Sequence, residues 1–136
     1  MAVDEIEVVK LDNDGDSPLA MASHKGHIDI VRLLLPIGDV ANLRNKKGVT
    51  PVFLAAENGH LEIVRLLVEV GVDVCLKDKH GFMPLHMASQ NGHAPIVAEL
   101  LLMGKENDKR MRVWRTISPV IYLRISRKRA RRRTHT

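Results

Sequence analysis

Apolar residues along this chain fall into short clusters with helical spacing, separated by polar stretches that carry glycine. Ile28 to Leu35 places Ile30, Val31, Leu33, Leu34 and Leu35 on one stripe, and Ile63, Val64, Leu66 and Leu67 are its counterpart further on. That spacing predicts short amphipathic helices. Ahead of each lies a second short cluster that opens on a proline. Pro18 to Lys25 is the first of these, and small residues at Ala22/Ser23, Ala55/Ala56 and Ala88/Ser89 let such helices approach closely. Ser17 and Thr50 stand just before their prolines. A hydroxyl there can accept from a free N–H of the first turn, and proline suits the first helical position because its missing N–H has no partner to lose. Gly26 follows the last residue of the first helix, where a left-handed backbone is wanted. Met83 lacks the capping hydroxyl, which predicts a weaker helix start, and Pro36 should end its helix early. Gly38 to Gly48 has no helical period.

These clusters repeat. Gly-His-x-x-Ile-Val starts at Gly26, Gly59 and Gly92, so both steps are 33 residues. Pro18, Pro51 and Pro84 keep the step, as do Gly15, Gly48 and Gly81. A fixed period of this size means stacked repeats rather than one globular topology. Helices this short are unstable alone, so stacking must supply their stability.

The segments DNDGDSPLAMASHKGH, NKKGVTPVFLAAENGH and DKHGFMPLHMASQNGH resemble the ankyrin repeat, in register over roughly Asp12 to Gly104. The resemblance implies an all-α solenoid of stacked helix-turn-helix units with β-turn fingers, one of them between Gly38 and Gly48. The expected organisation is a partial repeat or cap at 1–11, three repeats at 12–44, 45–77 and 78–104, and a basic C-terminal segment at 105–136. Val8-Val9-Lys10-Leu11 aligns with Val74-Cys75-Leu76-Lys77, like the end of a missing repeat, so the chain is also readable as a fragment of a longer array. Glu99 stands where Leu33 and Leu66 stand, which predicts that no full fourth repeat packs on that spot. Ser118-Pro119 renews the helix-start signature two residues out of register, and Pro119 to about Arg132 is read as a capping helix, with a β-strand at VIYLRI as its rival and disorder expected beyond Arg127.

Composition narrows the function. Aromatic residues are 3% of the chain, so the core must be aliphatic and base-stacking platforms are poorly supplied. The single cysteine, Cys75, excludes an internal disulfide and reads as a small buried residue, since no basic group flanks it to activate a thiolate. No secretory leader and no apolar span of membrane length is visible, and an intracellular site, cytoplasmic or nuclear, is the default. The charge divides sharply. Residues 1–104 hold 9 Lys+Arg and 14 Asp+Glu (−5), while residues 105–136 hold 12 and 2 (+10).

No catalytic constellation stands out. His27, His60 and His93 recur at one repeat position, where an imidazole can bond local backbone groups. Gly26 separates His24 from His27, so that pair shares no helix face. No Cys/His cluster has zinc spacing, and Asp12, Asp14 and Asp16 lack the glutamate that closes a calcium loop. The reading is therefore not an enzyme, with no metal, cofactor or small-molecule substrate.

What the resemblance implies is a protein-binding scaffold that works through its concave face, by finger tips and exposed first-helix ends. The corresponding positions are Asn13, Asp14, Asp16, His24 and Lys25, then Lys46, Lys47, Val49, Glu57 and Asn58, then Lys79, His80, Phe82, Gln90 and Asn91. Phe82 beside Lys79 and His80 reads as an anchor. The second candidate is the basic run Arg127, Lys128, Arg129, Arg131, Arg132 and Arg133. It suits an importin, nucleic acid or anionic lipid, with the repeats as a platform, and an unselected tail remains the plain alternative.

Overall fold

The computed structural model describes residues 10–37 and 40–103. The expected capping helix, the basic run and the segment 1–9 lie outside the described residues. Six helices follow in order: α1 (Pro18–Lys25), α2 (Ile28–Leu34), α3 (Pro51–Glu57), α4 (Leu61–Glu69), α5 (Pro84–Gln90) and α6 (Ala94–Met103). There is no strand among the described residues. Helices pair within each repeat, and each repeat packs on the next: α1 on α3 on α5 in one layer, α2 on α4 on α6 in the other. This is the expected all-α repeat solenoid.

Local chemistry sets the helix ends. Ser17 Oγ accepts from Ala20 N at 3.1 Å and Thr50 Oγ1 from Phe53 N at 3.3 Å, with proline following each. Met83 offers no such oxygen, but the third repeat compensates from the other side: Met83 N donates to His86 Nδ1 at 2.8 Å. The helices of this layer close on left-handed glycines, Gly26 at φ 81°, Gly59 at 80° and Gly92 at 76°. His60 N then reaches back to Ala55 O and His93 N to Ala88 O, 2.9 Å each, which satisfies carbonyls of the last turn. α2 stops at Leu34 just before Pro36, whereas α4 continues to Glu69.

The core is aliphatic. Leu19, Val31, Val52, Val64, Leu67 and Leu85 are buried, and Ala22, Ala55 and Ala88 permit the close helix approach. Cys75 is buried among them.

The fingers have their own rule. Asp12 Oδ1 accepts from Asp14 N and Asp16 N, Asn45 Oδ1 from Lys47 N and Val49 N, and Asp78 Oδ1 from His80 N and Phe82 N, all at 2.8–2.9 Å. One side-chain oxygen thus ties down two donors of each turn, a role for which aspartate and asparagine are equally suited.

Candidate interaction surface

Much of the expected surface is occupied by bonds between repeats. Lys46 N donates to Asp14 O at 3.1 Å and Lys79 N to Lys47 O at 2.9 Å, so the three fingers stack through backbone. Lys46 Nζ lies 2.6 Å from Asn13 O, and Asn45 Nδ2 donates to Asp16 Oδ1 at 2.9 Å. At the helix ends Asn58 Nδ2 lies 3.1 Å from His24 Nδ1, and Asn91 Nδ2 donates to Glu57 O at 2.9 Å. The side chains of Asp16, His24, Lys46, Asn58 and Asn91 therefore hold neighbouring repeats together, contrary to the expectation that these positions stay free.

Val49, expected among the partner-binding positions, is not at the surface. It is only 7% exposed and belongs to the core, because the following finger covers it. A variable position next to the cap is not thereby a surface position. Glu57 is half-buried and lends its carbonyl to the next repeat. Asn13, Asp14, Lys25, Lys47, Lys79, His80, Phe82 and Gln90 are exposed. Phe82 meets His86 edge-on, with ring centroids 5.8 Å apart.

The recurrent histidines do something the sequence did not suggest. His60 Nε2 donates to His24 O at 3.0 Å and His93 Nε2 to Glu57 O at 3.1 Å. Each imidazole caps the preceding repeat rather than its own surroundings. The ring lies against a glycine of that repeat: a Cβ on Gly26 would come within 2.6 Å of His60, and one on Gly59 within 2.8 Å of His93. A signal for this pairing was present, since Gly and His recur together. The partner was hidden because it sits one repeat away.

Glu99 also faces backwards. Its Oε1 accepts from Arg65 Nε at 3.1 Å, which links α6 to α4, while Arg65 also pairs with Glu62 at 2.9 Å. The carboxylates of Asp12, Asp14 and Asp16 offer oxygens within 4.8 Å of one another. Asp12 and Asp16 already spend an oxygen on the fingers, and Asn45 does the work of Asp12 without a charge. The cluster is thus accounted for by turn geometry.

A family model for ankyrin repeats in three copies matches residues 35–111, more than half of the chain, and a single-repeat model matches residues 14–46. The chain belongs to the ankyrin-repeat family, whose repeats are generally protein–protein interaction modules. No curated protein matches it. Among the described residues no helix is long and apolar enough to cross a membrane.

Proposed function

We infer that the chain is an adaptor that holds a partner protein, inside the cell, on the side where its fingers and first-helix ends emerge. The observation that carries this is a division of labour among exposed polar residues. One set is consumed by inter-repeat bonds, as with Lys46 on Asn13 O. Another set, the side chains of Asp14, Lys25, Lys47, Lys79, His80 and Gln90, projects from the same elements with no side-chain hydrogen bond to a neighbouring repeat among the described residues, although the backbones of Asp14, Lys47 and Lys79 join the finger stack. The stack keeps these side chains in a rigid row, which lowers the ordering cost of binding. Their charge runs from acidic on the first finger to basic on the second and third, which favours a partner segment of mixed or acidic charge.

The test is capture of interacting proteins by the full chain and by a Lys47→Glu/Lys79→Glu variant, with thermal unfolding of both. Reduced capture at an unchanged midpoint supports the reading. Undiminished capture moves the site elsewhere.

The tail supports a second reading, binding of polyanions, on the strength of its +10 balance over residues 105–136.

A further inference from the structure

Repeats one and three differ from repeat two at the positions that face outward along the stack. Ile63 and Ile96 are each 1% exposed because a preceding repeat covers them, yet their equivalent Ile30 is 45% exposed. Leu33 is 70% exposed where Leu66 is half-buried. The ring of His27, equivalent to the two that bridge repeats, makes no such bond among the described residues. The first repeat thus presents a face built to sit on another repeat.

The third repeat shows the complementary face. Ser23 and Ala56 are fully buried by the repeat that follows, and their equivalent Ser89 is exposed. Val49 is 7% exposed and its equivalent Phe82 is 44% exposed. Phe82 therefore belongs to this end face, on the side where Asp16 receives Asn45 of the next repeat. Gly26 and Gly59 each cradle a histidine ring, while Gly92 has open space above it. The Gln90 carbonyl stands where those of His24 and Glu57 receive their histidines.

We propose that the protein associates with itself head to tail, the first repeat of one copy stacking on the third repeat of another in the same 33-residue register. His27 of the second copy sits over Gly92 and donates to the Gln90 carbonyl. Ile30 and Leu33 are buried, and Phe82 with Ser89 comes under the arriving repeat. Charge selects a second copy as the occupant. The first finger carries three carboxylates, Asp12, Asp14 and Asp16, and the third carries one, Asp78, flanked by Lys77 at its edge and by Lys79 and His80 at its tip. Stacking in register brings these two fingers together. The contact is heterologous, so each added copy leaves one face of each kind and the assembly stays open-ended.

Sedimentation velocity of the full chain, from low micromolar to high micromolar concentration, tests this. The expected weight-average mass rises with concentration past that of two copies. Leu33→Glu and Ser89→Arg, both at exposed positions, should each hold the chain at the mass of one copy, with unchanged circular dichroism. Mixed together they should give a species of two copies and no larger, because each supplies the face the other lacks. A wild type that stays at one-copy mass throughout overturns the proposal. So does association that survives both substitutions, or a mixture that stays monomeric.

Discussion

Gly26 and His60 form one joint: the imidazole of the second repeat lies against the α-carbon of the first, 2.6 Å from where a Cβ would be, and donates to the carbonyl of His24. The glycine is needed twice over, for its φ of 81° and for the absence of a side chain.

Gly26→Ala should therefore cost about 1–3 kcal/mol of unfolding free energy, from backbone strain together with the displaced ring. His60→Ala alone should cost about 1 kcal/mol for the lost bond. In the double variant the alanine methyl meets no ring, so the combined loss should fall short of the sum. Urea unfolding of the four proteins measures this. Strict additivity would mean that the ring and the glycine do not act on each other.

Ser23→Ala should raise stability by about 1 kcal/mol. The Ser23 hydroxyl is fully buried and has no hydrogen-bond partner, and Ala56 fills the same place in the second repeat without a polar atom. A thermal midpoint that stays level or falls would contradict this account.

The third repeat's helix start rests on a histidine rather than a hydroxyl. His86→Leu should lower stability by about 1 kcal/mol, comparable to Thr50→Val at the hydroxyl-capped start, because one strands the N–H of the capping residue Met83 and the other the N–H of Phe53 in the first turn. An innocuous His86→Leu in urea unfolding would show that Met83 N finds another acceptor.

The C-terminal run should bind polyanions without sequence preference. Arg127, Lys128, Arg129, Arg131, Arg132 and Arg133 meet phosphates as charges, and the nearest aromatic, Tyr122, lies outside the run. Affinity for single- or double-stranded nucleic acid should fall steeply with salt through counterion release. Replacing the six cations by Ser and Gly should abolish retention. Retention that persists would make the run inert and leave the repeat surface as the binding element.

Helix positions were readable from the sequence because their causes are local. Ser17, Thr50 and the three prolines mark helix starts, and Pro36 marks an early end. The surface was less readable, because its occupants are chosen by residues about one repeat away. Nothing near Val49 announces that a finger will cover it, and nothing near Lys46 announces the carbonyl of Asn13. The same distance hid the targets of His60 and His93 and the pairing of Glu99 with Arg65. Met83 misled for a different reason: the missing cap came back from His86, a residue type that seldom serves there.

Most bonds at helix ends and finger backbones point the same way along the chain, while Arg44 on the Lys77 carbonyl and Arg65 on Glu99 run the other way. Lys46 N, Asn58, His60, Lys79 N, Asn91 and His93 donate, and the earlier repeat accepts. A ribosome delivers the earlier repeat first. In these six bonds each new repeat emerges carrying its own donors toward acceptors already in place, and those acceptors are mostly carbonyls that water serves well while they wait. The stack is directional in time as well as in space, and it can close behind the growing end like a zip drawn from one side.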